Sequence, residues 1–480
     1  MSTRECDVAV IGTGTAGMGA YRAAKAHTDK VLLIEGGVYG TTCARIGCMP
    51  SKLLIAAANA AHAAQDAKGF GVHVHGIGVD GAEVMQRVQR ERDRFVGFVV
   101  DAVNSWPEAD RIRGHAAFES PGVLRFDDGT RVEAKRIVIA TGSRTFIPPP
   151  LAALAAERVD TNATVFEWLD LPESVAVFGA GVIALELGQA LHRLGVRVRL
   201  FGRSQRIGGI TDPEVAEQAR EALGSELPLA LSSAVDTVVD EGEGFAVRWR
   251  DADGNAHEER FARVLAATGR IPNIDGLGLE HVGLPLNAQG LPDHDPATGR
   301  CGDSAIFLAG DVTGELPLLH EAADEGRIAG DNAGRYPDVQ TQRRRAPLAV
   351  VFCEPQIAAV GQNFQALCQS GQAFAVGQVD FSGQGRARVM RENVGVLRVY
   401  AAHDTGRLLG AEMLGPRAEH LAHLLAWSVQ AGLTIDEMLA MPFYHPVVEE
   451  GLRTALRDCA HALHRGPKPV AGCSEYGPGD

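Results

Sequence analysis

The chain has 480 residues, more than one hydrophobic core supports, and this length suggests about three domains of roughly 100–200 residues each. Its 46 basic and 60 acidic residues give a formal net charge of −14, which argues against nucleic acid or an anionic membrane as the main partner. No apolar run reaches the ~20 residues that span a bilayer, and the N-terminus lacks a signal-peptide pattern, so we expect a cytoplasmic protein.

The N-terminal segment has the pattern of a dinucleotide-binding fold. A β-branched run at 7–11 is followed by a glycine turn, an alanine-rich helix and a second apolar strand at 30–34. The turn, Gly12-x-Gly14-x-x-Gly17, permits close approach of the backbone to a pyrophosphate at the helix N-terminus. Glu35 ends the second strand, where its carboxylate can accept hydrogen bonds from ribose hydroxyls.

Two cysteines, Cys43 and Cys48, follow this segment, and three interpretations of the pair are open. A zinc site needs four ligands, but no second cysteine pair or His-x₃₋₅-His pattern stands at a suitable spacing. Inert buried thiols are the second interpretation. The third is a redox pair, since Pro50-Ser51-Lys52 opens a helix predicted over 53–64, whose dipole favours a thiolate at Cys48. We favour the redox pair and predict no metal site.

A second dinucleotide pattern lies in the middle of the chain. It reads as strand, glycine turn, helix and strand at 175–178, Gly179-x-Gly181-x-x-Ala184, 182–194 and 197–201. Two such folds imply two dinucleotides and an electron path between them.

Two apolar strands run into Thr141-Gly142 and Thr268-Gly269, where the chain crosses between domains, and a third apolar strand ends on Gly310-Asp311. Asp311, next to a helix predicted over 318–331, can hydrogen-bond a polyol such as a ribityl chain. An N-cap aspartate is the alternative.

From about residue 347 the pattern changes to a meander of strands and a helix, which predicts a separate third domain. Near its end, His445-Pro446 is followed by Glu450. A histidine held by a carboxylate is a proton shuttle tuned near neutral pH, and a structural histidine is the alternative.

Together these motifs resemble those of the flavoprotein disulfide reductases, the class I pyridine nucleotide-disulfide oxidoreductases, and most closely the dihydrolipoamide dehydrogenase branch. The resemblance covers about residues 5–460 and is carried by Gly12-x-Gly14-x-x-Gly17, Cys43-x₄-Cys48-x-Pro50-Ser51-Lys52, Ala140-Thr141-Gly142, Gly310-Asp311 and His445-Pro446. It implies a homodimer with FAD in each subunit, a pyridine nucleotide on the second fold, and an active site shared between subunits.

The resemblance also implies roles for individual residues. Cys43 is expected to be the interchange thiol that faces the disulfide substrate, and Cys48 the charge-transfer thiol against the flavin. Lys52 is expected to pair with Glu186 near the reactive edge of the flavin.

The implied reaction oxidises a dihydrolipoamide-type dithiol, with His445 of the opposite subunit taking a proton and Glu450 stabilising the imidazolium. A lipoyl domain of a 2-oxoacid dehydrogenase complex is one carrier of such a dithiol. Glutathione reductase-like and mercuric reductase-like NADPH-dependent enzymes are alternatives. Mercuric reductase would want vicinal C-terminal cysteines, whereas Cys459 and Cys473 are far apart. A flavin-bearing, redox-regulated binding protein is the non-enzyme alternative, and it would not need the cysteine pair together with His445 and Glu450.

The coenzyme is the point on which the two folds disagree. The count that leads from Gly12 to Glu35 in the first fold leads to Gly202 in the second, with Arg203 and Arg206 following. A missing acid and a nearby arginine favour the 2′-phosphate of NADP slightly, while dihydrolipoamide dehydrogenases generally use NAD.

We therefore expect an α/β chain with two Rossmann-like dinucleotide-binding domains and a C-terminal α+β dimerisation domain. The expected ranges are 1–150 and 271–346 for FAD, 151–270 for NAD(P), 347–465 for dimerisation, and 466–480 for a flexible tail. The expected FAD residues are Gly12, Gly14, Gly17, Glu35, Lys52, Thr141, Gly142, Gly310 and Asp311. The expected NAD(P) residues are Gly179, Gly181, Ala184, Arg203, Arg206 and Gly269.

Overall fold

The computed structural model describes residues 3–467, so most of the tail expected at 466–480 lies outside the described residues. The chain has the mixed α/β fold that its sequence predicts, with a first sheet that is mostly parallel, a second sheet that is parallel and a C-terminal antiparallel sheet. Within residues 3–467 no helix is long and apolar enough to cross a membrane.

The strands of the first half are β1 Thr3–Ile11, β2 Val31–Glu35, β3 Arg111–Arg113, β4 Ala116–Ser120, β5 Val123–Phe126, β6 Arg131–Ile139, β7 Ser143–Thr145, β8 Val159–Asp160, β9 Ser174–Phe178, β10 Arg197–Phe201 and β11 Leu229–Ala230. Those of the second half are β12 Ala234–Asp240, β13 Phe245–Arg250, β14 Ala256–Phe261, β15 Arg263–Ala266, β16 Arg270–Pro272, β17 Ile306–Leu308, β18 Leu348–Val351, β19 Gln356–Gly361, β20 Phe374–Asp380, β21 Val396–Ala402 and β22 Leu408–Gly415.

The helices up to the second sheet are α1 Thr15–Lys25, α2 Thr42–Ile46, α3 Cys48–Asp66, α4 Gly81–Asn104, α5 Pro149–Ala152, α6 Val182–Arg193 and α7 Pro213–Gly224. The remaining ones are α8 Leu319–Arg335, α9 Phe364–Ser370, α10 Gly385–Met390, α11 Ala418–Ala431, α12 Ile435–Leu439 and α13 Glu450–Ala462.

The first sheet brings the expected FAD motifs to one edge. Its order is β3-β2-β1-β6-β5-β4, with β17 also paired to β6, and β1, β2, β6 and β17 run parallel. Val8 and Val10 face the core beneath α1 and α8, while Ala9 and Ile11 face the opposite core, as strand alternation requires. Because the carboxyl ends of parallel strands share an edge, the four segments that follow them converge there.

The second sheet has the order β11-β10-β9-β15-β8, with all pairings parallel, and a three-stranded antiparallel layer, β12-β13-β14, packs beside it. A two-stranded crossover, β7 against β16, joins the first two sheets. The C-terminal sheet, β18-β19-β22-β21-β20, is antiparallel and packs α11 and α13 on one face.

Several element bounds differ from the sequence prediction. The helix expected at 53–64 begins at Cys48, because Pro50 falls in the first turn, where the missing N–H has no helical partner to lose. The helix expected at 318–331 extends to Arg335, and the strand expected at 7–11 begins at Thr3. The 24-residue helix α4, capped by Asp80, was not predicted.

Helices α1 and α8 pack backbone to backbone. A Cβ placed on Gly330 of α8 would lie 2.2 Å from the Ala20 carbonyl oxygen, and one on Gly326 would lie 2.1 Å from that of Ala16. A side chain at either glycine would push the helices apart, which is why small residues line this contact.

We predict that Gly330→Ala destabilises the fold by at least about 2 kcal/mol, because its methyl group collides with a backbone carbonyl that cannot move alone. The matched control is Gly97→Ala in α4, where an added Cβ meets nothing within 4 Å. That change should stabilise by about 0.5–1 kcal/mol through helix propensity. Thermal unfolding of both variants checks this, and equal midpoints would contradict the packing argument.

Candidate active site

The two cysteines of the candidate redox pair lie on consecutive helices. Cys43 is in the five-residue helix α2, and Cys48 is the first residue of the 19-residue helix α3. Thr41 caps α2 by accepting a hydrogen bond from Ala44 N at 3.1 Å. Gly47 makes the tight link between the helices, since a Cβ there would lie 2.9 Å from a carbonyl oxygen of α2. No disulfide joins the two cysteines in the structure.

The two thiols differ in acidity. The Cys43 thiol donates a hydrogen bond to Cys48 and lowers the pKa of Cys48 to about 7, with attraction from Lys52 in the same direction. Partial desolvation and the Glu186 carboxylate oppose this shift, although the Cys48 side chain stays accessible. The same hydrogen bond, together with burial, raises the pKa of Cys43. Near neutral pH the proton therefore stays on Cys43 and the thiolate forms on Cys48.

Lys52 and Glu186 are brought together by α3 and α6. Lys52 Nζ lies 2.7 and 2.9 Å from the two carboxylate oxygens of Glu186 and 4.5 Å from the ring centroid of Phe352. The Phe352 N–H donates to the same carboxylate at 3.0 Å. Because Glu186 is 4% exposed, these partners compensate its removal from water.

Two further buried side chains on the same face of α6 were missed by the sequence reasoning. Gln189 exchanges hydrogen bonds with the backbone N–H and carbonyl of Glu354, both at 2.7 Å. Arg193 donates to Asn59 of α3 at 3.2 Å and contacts the Glu354 carboxylate. The signal was present as polar residues spaced 3 and 4 apart in an otherwise apolar helix.

The glycines of the first turn divide into two kinds. A Cβ on Gly12, which has φ +105°, would lie 2.3 Å from the Ala140 oxygen, and one on Gly17 would lie 1.9 Å from the Gly12 oxygen. Gly14 instead has nothing within 4 Å. Gly12 and Gly17 therefore allow close packing, while Gly14 leaves the approach to the N-terminus of α1 open for a pyrophosphate.

The Glu35 carboxylate is held at the end of β2. One oxygen accepts from the Thr13 N–H at 2.9 Å and from its hydroxyl at 2.5 Å, and the other accepts from Gly37 N at 2.7 Å. This links the glycine turn to the end of β2, where the sequence places a ribose.

The crossover motifs of the first sheet lie beside one another. The Asp311 carboxylate accepts from Ser143 Oγ at 2.9 Å, directly after Thr141-Gly142. The Thr141 hydroxyl is buried and has no hydrogen-bond partner within residues 3–467. Gly310, with φ +82°, donates its N–H to a buried carboxylate of α8, Glu325, at 2.7 Å. An open glycine cradle, a held carboxylate and an unpartnered buried hydroxyl at one sheet edge fit FAD.

The second turn repeats the first. A Cβ on Gly179 would lie 2.2 Å from the Ala267 oxygen, Gly181 has nothing within 4 Å, and Ala184 is fully buried. Gly269, with φ +112°, lies at the crossover. These residues fit a second dinucleotide.

The two arginines that the sequence predicts for coenzyme binding follow the end of β10. Arg203 and Arg206 are exposed, and their guanidinium groups have no partner among the described residues 3–467. A Cβ on Gly202 would lie 2.7 Å from Leu231 Cδ2, so an acid at this position would need Leu231 to move.

His445 and Glu450 form a pair in the C-terminal domain. His445 Nδ1 lies 2.9 Å from Glu450 Oε1, and Val447 N donates to the other oxygen at 3.2 Å. Glu450 is buried at the start of α13, whereas His445 is exposed. The Glu450 carboxylate thus holds the His445 ring, and both residues lie in a different domain from the cysteine pair.

A cleft of about 700 Å³ lies between α2 and the crossover strands. Its wall includes Thr42 and Ile46 of α2, Ser143, Asn162 and Arg270. In the part of the chain that is described, no three His, Cys, Asp or Glu side chains form a group that could hold a metal ion.

Comparison with known families gives two adjacent matches. Residues 6–326 match the model described as pyridine nucleotide-disulphide oxidoreductase, and residues 348–456 match the dimerisation domain of the same family.

Curated relatives with different substrates resemble the chain equally well. It is 31% identical to a dihydrolipoyl dehydrogenase of Haloferax volcanii, over 96% of this chain and 98% of the relative. It is 31% identical to a mycothione reductase of Mycobacterium tuberculosis (94% and 98%) and 29% identical to a mercuric reductase of Lysinibacillus sphaericus (94% and 82%). In fold it is similar to the flavoprotein disulfide reductase RclA of Escherichia coli, with a TM-score of 0.80, 24% identity, and coverage of 94% and 99%.

We predict that Lys52→Gln raises the pKa of Cys48 above about 7 and that Glu186→Gln lowers it, because the two charges act on the thiolate with opposite signs. At pH 7, iodoacetamide labelling of the reduced pair should slow several-fold in the first variant and hold or rise in the second, since the thiolate reacts.

The double variant Lys52→Gln/Glu186→Gln is the control, because it removes both charges and avoids leaving one buried partner alone. Its labelling should lie between those of the single variants. A shift of both single variants in the same direction would show that the electrostatic assignment is wrong.

Proposed function

Because the chain belongs to the pyridine nucleotide-disulphide oxidoreductase family, whose members bind FAD and use a pyridine nucleotide, we propose that it oxidises dithiols of the dihydrolipoamide class with NAD(P). The observation that carries the proposal is the asymmetric cysteine pair, in which Cys43 keeps its proton and Cys48 forms an accessible thiolate. This asymmetry gives one sulfur to exchange with substrate and one to pass electrons on.

The oxidised pair is a disulfide between Cys43 and Cys48. A substrate thiolate attacks Cys43 Sγ, the disulfide bond breaks, and Cys48 leaves as a thiolate. The second substrate thiolate then attacks the sulfur bound to Cys43, so the substrate leaves as a disulfide and Cys43 takes a proton. FAD held at the first glycine turn would supply the acceptor for the two electrons that the pair has gained, and a nicotinamide held at the second turn would supply the final acceptor.

The proton of the first substrate thiol passes to the imidazole of His445. Glu450 Oε1 lies 2.9 Å from His445 Nδ1, so its carboxylate fixes the ring and stabilises the imidazolium that forms. We propose that this histidine serves the cysteine pair of the second subunit in a homodimer, since the matched C-terminal module is a dimerisation domain.

The cofactors would be held by the residues that the two turns and crossovers present. For FAD these are Gly12, Gly14, Gly17, Glu35, Lys52, Thr141, Gly142, Gly310 and Asp311, within residues 1–150 and 271–346. For NAD(P) they are Gly179, Gly181, Ala184, Arg203, Arg206 and Gly269, within 151–270. Residues 347–465 would form the dimer contact.

No observation favours the alternatives more strongly. Cys459 is buried in the C-terminal core and so cannot serve as a C-terminal metal-relaying thiol in this conformation, while Cys473 lies outside the described residues. A redox-regulated binding protein would have no use for a carboxylate-held His445. A lipoyl domain is the partner that would present this dithiol.

We predict that the enzyme reduces NAD(P) with dihydrolipoamide, with much weaker turnover of glutathione disulfide, mycothione disulfide or mercuric ion with NADPH. Cys43→Ser should abolish dithiol oxidation while leaving FAD bound and electron transfer to an artificial acceptor intact, because only the exchange sulfur is lost. Steady-state assays of both proteins measure this. Equal loss of both activities would contradict the role given to Cys43.

Mixing Cys43→Ser subunits with His445→Ala subunits tests the shared site. Random exchange into dimers should restore about a quarter of the sites, since half the dimers are hybrids with one intact site each. With subunit exchange demonstrated, no recovery would place His445 in the same subunit's site.

The coenzyme preference is tested at Arg203. We propose that this exposed arginine faces the 2′-phosphate of NADP. Arg203→Ala should then lower kcat/KM for NADP by an amount equivalent to about 1.5–3 kcal/mol of transition-state stabilisation and leave kcat/KM for NAD nearly unchanged. Arg220→Ala is a control on the same domain, because its guanidinium is occupied by Glu217 and the Gln205 carbonyl. Equal effects on both coenzymes would make Arg203 a bystander.

A further inference from the structure

Asn162, in the loop after β8, is a buried side chain that joins separate parts of the chain. It is 6% exposed, and its Nδ2 donates to the Ile46 carbonyl at the end of α2 at 2.9 Å. Its Oδ1 accepts from Thr145 Oγ1 at 2.6 Å and, at the longer distance of 3.5 Å, from Arg270 Nη1. Three of its four hydrogen-bonding positions are therefore used.

The contacts continue from Arg270 to the candidate FAD aspartate. Arg270 donates through Nε to Ser143 Oγ at 2.7 Å and through Nη2 to the Ser143 carbonyl at 2.5 Å. The Ser143 hydroxyl in turn donates to Asp311 at 2.9 Å. A continuous run of hydrogen bonds thus links the turn at Asp311, both crossover strands and the end of α2.

The end of α2 has particular need of such a partner. An isolated helix of five residues does not hold its own shape, and its last carbonyls have no helical donors. Thr41 fixes its first turn by accepting from Ala44 N, and Gly47 follows it without a side chain to pack. The amide of Asn162 is what satisfies the Ile46 carbonyl at the other end.

We propose that Asn162 is a positioning residue that holds α2 by the Ile46 carbonyl and so keeps the Cys43 sulfur directed at Cys48. The inference rests on the proposed function, because it concerns the same cysteine pair. Asn162 lies outside every motif that identifies the chain, more than 100 positions from the cysteines along the sequence.

The consequence is a change in the acidity of the pair. Three side chains act on the Cys48 thiolate, beside the effect of burial: Cys43, whose hydrogen bond has the largest effect, and Lys52 and Glu186, whose charges oppose each other. Loosening α2 weakens the first of these and leaves the other two in place, because Lys52 and Glu186 lie on α3 and α6. The first deprotonation of the pair then requires a higher pH.

The test is the pH dependence of iodoacetamide labelling of the pair in chemically reduced holoprotein, with the labelled cysteines assigned by mass spectrometry. Asn162→Ala should slow labelling at pH 7 about three- to ten-fold and move the whole profile to higher pH, since reactivity follows the thiolate. Thr164→Ala is the matched control in the same loop, because its hydroxyl bonds Asp160 and Thr161 and not α2. It should leave the profile in place.

Asn162→Ser is the second variant, in case Asn162→Ala does not fold, since it keeps a small polar group one bond too short to reach Ile46. A shifted profile in either Asn162 variant with an unshifted Thr164→Ala supports the proposal. An unshifted profile in a folded Asn162 variant, or an equal shift in Thr164→Ala, overturns it. Substrate and coenzyme are absent from this measurement, so its outcome is independent of whether dihydrolipoamide is turned over.

Discussion

The buried ion pair between Lys52 and Glu186 is the interaction on which the arrangement of the site depends. A carboxylate that is 4% exposed is tolerated only with its charge compensated and its oxygens hydrogen-bonded. Here the ammonium comes from the redox helix α3, the carboxylate from the second dinucleotide fold, and a backbone N–H from the loop before β19. One carboxylate therefore fixes three parts of the chain relative to the cysteines.

A second contact between α6 and α3 adds to this constraint. Asn59 lies seven residues after Lys52, two turns along the same face of α3, and contacts Arg193. Attachment at two points, together with the burial of Leu54 and Ala58 in the core, opposes rotation of α3 about its axis. The Cys48 side chain at the start of α3 is thus fixed in orientation, while Lys52 stabilises its thiolate.

The sequence was sufficient where function depends on local chemistry. The glycine turns, the cysteine spacing and the residues that end the strands can each be recognised within a few positions of sequence. The carbonyls that require glycine at Gly12 and Gly179, those of Ala140 and Ala267, belong to remote strands and became visible only in the structure. Lys52 and Glu186 were expected together through resemblance alone. Asn162 was missed because its partners are far away in the sequence and no local pattern marks its amide, whereas Arg193 had a local signal in the spacing of polar residues on α6.

The placement of Cys48 at the first position of α3 has a consequence for the helix itself. Nineteen residues of aligned peptide dipoles favour a negative charge at this end, and that charge is present only while the cysteine pair is reduced. By thermodynamic reciprocity, the free energy by which the helix stabilises the thiolate equals the free energy by which the thiolate stabilises the first turn of the helix. The first-turn amides of α3 should then exchange with solvent deuterium more slowly in the reduced protein than in the oxidised one, so a backbone measurement reads out the electron count of a side-chain pair.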